Sequence, residues 1–205
     1  MSETRIEGTI RVLGLTDWWV GGLDEADRKA ICEHYGPGQG ETPGELRWTS
    51  QSRVSFLTTI ATWLNKESVR FTAYKCLAKA DEIWPDQASV IDLHFGLQHR
   101  CEVYYRWRDV DDFALDEAIS SCRRSVAMQK DAAAALRKQG FVTWGNGIPG
   151  HHCFRQLAII EEKRGNLDDA ISLCKEARKE GWLDGWDKRI ARLEKKRAKA
   201  IQARG

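Results

Sequence analysis

Residues 154–177, FRQLAIIEEKRGNLDDAISLCKEA, decide the fold of this chain because they have the pattern of a helical hairpin. Apolar side chains recur three or four residues apart on both sides of Gly165 and Asn166, which is the spacing of one buried helix face. Glycine beside asparagine is typical of a helix end followed by a tight turn. We therefore predict two helices, at residues 152–164 and 167–179, joined by this turn.

A second stretch repeats this pattern with a constant offset of 97 residues. Apolar residues of its first helix and small residues of its second helix align with counterparts in the later hairpin. The aligned pairs are Leu57–Phe154, Ile60–Leu157, Ala61–Ala158, Ala73–Ala170, Leu77–Cys174 and Ala80–Ala177. Trp63 and Phe71 belong to the same predicted inward stripes. Such a hairpin cannot bury its apolar face alone, so the pattern predicts stacked neighbours.

A third, middle unit covers residues 93–126 and has Ala118 and Cys122 in its second helix. The three units resemble the tetratricopeptide repeat, in an irregular form because their separation exceeds the roughly 34 residues of the regular repeat. The resemblance implies an all-α solenoid of about three helix-turn-helix units. It also implies a non-catalytic scaffold or adaptor that binds a peptide or a partner helix in a concave groove.

The rest of the chain divides around these units. Residues 1–50 are expected to form an N-terminal helical lobe and a loop, residues 51–183 the repeats, and residues 184–205 a C-terminal capping helix. Within the repeats, residues 115–140 read as one long helix. Residues 140–150, which contain GNGIPG, read as a glycine-rich connection.

Composition narrows the possible functions. The net charge of the 205 residues is +2, which argues against a general nucleic-acid binder, and no apolar run approaches the roughly 18 residues of a membrane span. Six cysteines without a CxxC pair favour reduced thiols, most of them buried, and hence a cytoplasmic protein. The sequence predicts no cofactor.

The candidate binding residues lie on the first helix of each unit, away from its apolar stripe. They are expected to line the groove and to contact the partner. These residues are Thr58, Thr62, Asn65, Gln98, Glu102, Tyr105, His152, Arg155 and Glu162. The alternative function is a binder of a small anionic ligand or nucleotide, held in the same groove by His152, Arg155 and the backbone amides of residues 140–150.

The run His151, His152 and Cys153 raises the question of a metal site or a nucleophile. Adjacent residues on a helix point about 100° apart, so the two histidines are poorly placed to share one ion. Cysteines recur at core positions of the pattern as small apolar residues, and we expect Cys153 to be one of them. We therefore predict that both histidines are exposed or line the groove, with neither a catalytic residue nor a metal ligand in this stretch.

Overall fold

The computed structural model describes residues 8–35, 49–87, 89–142 and 147–203, and all regular structure in these residues is helical. Short π and 3-10 turns occur at Trp18–Gly22 and Glu67–Val69. The α-helices are α1 (Gly8–Val12), α2 (Glu25–His34), α3 (Arg53–Trp63), α4 (Arg70–Gln87), α5 (Val90–Arg106), α6 (Ala114–Ala127), α7 (Gln129–Lys138), α8 (His152–Arg164), α9 (Leu167–Glu180) and α10 (Trp186–Gln202). The predicted all-α class is therefore confirmed.

Side-chain caps determine where several helices begin. The Ser52 hydroxyl accepts from the backbone amide of Ser55 at 3.0 Å, and Ser89 forms a reciprocal capping box with Asp92 at the start of α5. Helix α8 ends at Gly165, which has a φ of 84°, a left-handed conformation that glycine adopts without steric cost. These contacts satisfy terminal backbone groups that have no partner inside the helix.

The two aligned hairpins agree in their second helices and differ in their turns. Both second helices begin at equivalent positions, Arg70 and Leu167. However, α3 ends at Trp63, whereas the equivalent position in α8, Ile160, is still within the helix. Without a glycine at the turn, the first hairpin closes through a 3-10 turn instead of a left-handed cap.

Helix α8 lies between two hydrophobic cores. Cys153 and Leu157 pack into a core shared with α1 to α6, whereas Phe154 and Ala158 pack into a core shared with α7, α9 and α10. The described N-terminal helices supply Ile10 and Ile31 to the first core, so they pack against the helices of the repeats.

The predicted helix at residues 115–140 is wrong, because the structure divides it into α6 and α7. The break is at Met128, whose ψ of 8° departs from the helical range. Immediately after the break, the side chain of Gln129 is buried and accepts a hydrogen bond from Trp182 Nε1 at 3.1 Å. A tertiary contact is therefore formed at the first residue of α7, next to the break.

Polar contacts join the helices around the first core. Arg100 on α5 is almost fully buried and forms ion pairs with Asp81 of α4 and, at 2.5 Å, with Glu117 of α6. The buried carboxylate of Asp27 on α2 accepts from the Thr72 hydroxyl of α4 at 2.7 Å. No helix in the described residues has the combination of length and apolar character that a membrane crossing needs.

Candidate functional site

Helices α3 and α5 enclose a surface cavity of about 510 Å³ that contains several of the predicted binding residues. Its lining residues are Thr62, Trp63, Asn65, Lys66, His99, Glu102 and Arg106. Trp63 was predicted to face inward, but its side chain is 57% exposed. The early end of α3 places this ring beside the cavity, where it is an apolar surface available to a partner.

Two exposed cations line the same cavity. Lys66 contacts His34 Nδ1 at 3.1 Å, and the guanidinium of Arg106 stacks on Trp107. Neither cation forms an ion pair with a carboxylate in the described ranges. Burial lowers the pKa of His99, so this imidazole is neutral near pH 7 and adds no charge.

A second cavity of about 320 Å³ lies where α5 meets the start of α8. It is lined by Gln98, Gly150, His151, His152, Arg155, Leu183 and Asp184. Arg155 Nη1 lies 3.9 Å from Asp184 Oδ2, so the positive charge of the arginine already has a partner. Gln98 Oε1 accepts from the His152 backbone amide at 3.2 Å, which links the two helices at the cavity wall.

Four predicted binding residues make internal contacts instead of lying free on the surface. Thr58 is buried and donates to the Val54 carbonyl at 2.9 Å. The buried amide of Asn65 accepts from Trp107 Nε1. The Tyr105 hydroxyl accepts from Lys163 at 3.3 Å, and the Glu162 carboxylate forms ion pairs with Arg192 and Lys196 of α10.

His151 is not exposed, because its imidazole is only 1% accessible, although the residue borders the second cavity. His151 precedes α8 as its N-cap, and its Nδ1 accepts from the Phe154 amide at 3.3 Å. The ring packs edge-on against Trp182 and His94, with ring centroids 4.6 and 4.8 Å away. Burial lowers the pKa of His151 to about 3 and that of His94 to about 4, so both rings are neutral at physiological pH.

Three buried thiols meet beside these rings. Cys101 of α5, Cys122 of α6 and Cys153 of α8 have all three Sγ atoms within 4.8 Å of one another, and 3.2 Å separates Cys101 from Cys122. Burial opposes ionisation of Cys153, but contacts with the other two thiols and with nearby His151 lower its pKa. The contact with Cys101 helps raise the pKa of Cys122. We name these residues the three-thiol cluster.

In the described end of the glycine-rich connection, residues 147–150, the Ile148 amide is already bonded within the chain. Residues 143–146 lie outside the described part of the chain. Ile148 donates its amide to the Gly181 carbonyl at 3.1 Å and accepts from the Leu183 amide at 3.0 Å. A side chain on Gly150 would meet the Leu183 carbonyl at 2.8 Å, so the connection packs tightly against the chain that enters α10.

The sequence analysis did not identify the cations of the first cavity or the three-thiol cluster. His99, Glu102 and Arg106 follow one face of α5 at helical spacing, which is a signal that could have been read from the sequence. The three cysteines come from separate helices and have no motif spacing, so only their burial could be anticipated. No known protein family, curated protein or solved structure significantly matches this chain.

Proposed function

We propose that this chain is a non-catalytic interaction scaffold, an irregular tetratricopeptide-like array, that binds a peptide segment or a partner helix across α3, α5 and α8. The observation that carries the proposal is the cavity between α3 and α5, with an exposed tryptophan beside two cations. A cytoplasmic location, favoured by six cysteines without a CxxC pair, belongs to the same proposal.

The chemistry of the first cavity favours an acidic partner with an apolar side chain. Trp63 provides an apolar anchor surface of the kind that dominates many protein interfaces. Lys66 and Arg106 provide charges that attract carboxylates, because no carboxylate of the described residues pairs with them. Glu102 faces the same cavity and disfavours a wholly acidic segment. A peptide that places one carboxylate next to an apolar residue therefore fits best.

A peptide bound in the first cavity can also contact the second cavity, beside α8. Gln98 and His152 present polar groups there, and the exposed side chain of Arg155 lies beside Asp184. A small anionic ligand is the alternative occupant, because a histidine and an arginine share this cavity. It is less favoured, since Asp184 partly neutralises Arg155 and the Ile148 amide is already bonded.

The test is selection of peptides from a random display library on the purified chain. We expect enrichment of sequences with Asp or Glu beside an apolar residue. Fluorescence anisotropy then gives the affinity of an enriched, labelled peptide for each variant. Lys66→Glu combined with Arg106→Glu should weaken this affinity at least about tenfold, because charge-assisted hydrogen bonds contribute roughly 1.5–3 kcal/mol. Trp63→Ala should also weaken binding.

The matched control is Lys130→Glu combined with Lys195→Glu, which changes the net charge equally at exposed lysines of α7 and α10. This control should retain the native affinity. Failure to enrich any peptide, or equal binding by the Lys66 and Arg106 variant, rejects the proposal. Failure of enrichment together with a rise in melting temperature on adding ATP, abolished in Arg155→Ala, instead supports the anionic-ligand alternative.

A further inference from the structure

The three-thiol cluster differs from the other buried cysteines of the chain. Cys76 and Cys174 are buried as well, and each behaves as a small apolar residue of the core. Cys101, Cys122 and Cys153 come from three different helices, and their sulfur atoms converge within 4.8 Å. Convergence of this kind brings together the thiolate ligands that soft metal ions prefer.

The sulfur spacing fits a metal centre. The sulfur atoms of Cys101 and Cys122 are 3.2 Å apart, so they are not joined by a disulfide of about 2.05 Å in this structure. In a tetrahedral zinc centre, zinc–sulfur bonds of about 2.3 Å separate the sulfur atoms by about 3.8 Å. The observed range of 3.2 to 4.8 Å brackets that value, so small side-chain adjustments bring all three thiols into ligand positions.

A buried polar group adjoins the cluster without a hydrogen bond of normal geometry. Ser125 is one helical turn beyond Cys122 on α6, and both residues are fully buried. Residues three apart on a helix lie on the same face, so the serine hydroxyl is directed toward the side of α6 that carries the thiol. It lies near the Cys153 thiol and helps lower the pKa of that thiol, but no described residue forms a hydrogen bond of normal geometry with it. An unsatisfied hydroxyl in a protein core is unusual and points to a ligand at this position.

We propose that Cys101, Cys122 and Cys153 bind one thiophilic divalent ion of the zinc class. Each thiol transfers its proton to solvent on binding, so three protons leave and three thiolate–metal bonds form. A divalent ion leaves a net charge of −1 in the core, whereas a monovalent ion leaves −2, which is more costly to bury. The fourth position belongs to an oxygen, from the Ser125 hydroxyl or from water.

His151 supplies a donor beside this charged centre. Its Nδ1 accepts from the Phe154 amide, which leaves the ring proton on Nε2, a buried atom near the Ser125 backbone that forms no hydrogen bond of normal geometry with a described residue. His151 is two residues before Cys153 in the chain, and both side chains are buried. A hydrogen bond from a neighbouring N–H is the kind of outer contact that stabilises metal-bound ligands. The metal site does not depend on the proposed peptide binding.

The test titrates Cd²⁺ and Zn²⁺ into the reduced full-length chain carrying Cys32→Ala, which removes the exposed thiol. We expect one ion per chain, release of protons to the buffer, and for Cd²⁺ an ultraviolet thiolate-to-metal charge-transfer absorption. Alanine at Cys101, Cys122 or Cys153 should weaken binding by more than the roughly 10- to 100-fold that loss of an outer-shell partner costs. Cys76→Ala and Cys174→Ala are matched controls and should leave the affinity unchanged.

A second measurement keeps the test valid if an alanine variant fails to fold. The cadmium NMR shift of the chain with its buried cysteines intact reports how many sulfur ligands the ion has, and three are expected. Absence of stoichiometric binding rejects the site. Binding without sulfur ligands, or native affinity in a folded variant lacking one of the three cysteines, rejects it as well.

Discussion

Trp107 Nε1 donates a hydrogen bond of 2.8 Å to Asn65 Oδ1, and both side chains are buried between α3 and α5. This bond joins the chain just after α3 to the end of α5. It lies directly beneath the cavity that carries the proposed function, because Asn65 is one of its lining residues. The cavity wall is thus also part of the packed interior.

Replacement of Asn65 by Ala should destabilise the fold, because the Trp107 N–H then remains buried without an acceptor. We expect a loss of about 1–3 kcal/mol in the free energy of unfolding, measured by urea denaturation. In a Trp107→Phe background the same replacement should cost clearly less, since no donor is left unpaired. Equal costs in the two backgrounds would show that this hydrogen bond does not stabilise the cavity wall.

Ala170 on α9 is fully buried in the second core. Leucine at this position should overpack the interface and lower the free energy of unfolding by about 1–3 kcal/mol. The control is Ala191→Leu on an exposed position of α10, which should change stability by less than about 0.5 kcal/mol. Thermal denaturation followed by circular dichroism measures both. Indistinguishable melting temperatures for the two variants would contradict the close packing at Ala170.

The thiols should separate into two classes in the reduced, metal-free protein. Cys32 is exposed and should react rapidly with a thiol reagent, whereas the five buried cysteines should react slowly until the chain unfolds. The physical reason is that the reagent must reach a sulfur atom enclosed by side chains. Mass spectrometry after brief alkylation assigns the modified positions. Rapid native modification of Cys76, Cys122 and Cys174 would be incompatible with the core described above.

Acid should weaken the contact between α8 and α10. Arg192 donates to both carboxylate oxygens of Glu162 at 2.6 Å, and with Lys196 it lowers the pKa of Glu162 from 4.5 to about 2. Because folding lowers the pKa of Glu162, its ionised carboxylate stabilises the fold fully above pH 4.5. This contribution is lost as the pH falls from there toward 2.

The comparison with Glu162→Gln isolates this contribution. The difference in free energy of unfolding between the native chain and the variant should be largest near neutral pH and should vanish in strong acid. Chemical denaturation at a series of pH values measures it. A difference that does not change with pH would mean that the pairing with Arg192 contributes nothing through charge.

Much of the local structure could be predicted from the sequence. Apolar spacing predicted the hairpin of α8 and α9, and Gly165 predicted the turn, because both signals act over a few neighbouring residues. The inward positions Leu57, Ala73 and Phe154 are all buried as expected. Periodicity predicts the buried face correctly wherever a helix is covered along its whole length.

Trp63 and Phe71 show where this reasoning fails. Both belong to apolar stripes, yet each is 57% exposed. They flank the turn between α3 and α4, where no helix of the described residues covers the stripe. Periodicity gives the direction of a side chain from its own helix, and only the placement of other helices decides whether something packs against it.

Adjacent His151 and His152 differ in burial for a similar reason. The sequence by itself determined that a helix starts here, with a polar residue at its cap. Only the tertiary structure decided that His151 is enclosed by Trp182 and His94. It likewise decided that Cys101, Cys122 and Cys153 meet, because residues far apart in the chain become neighbours only when three separate helices pack together.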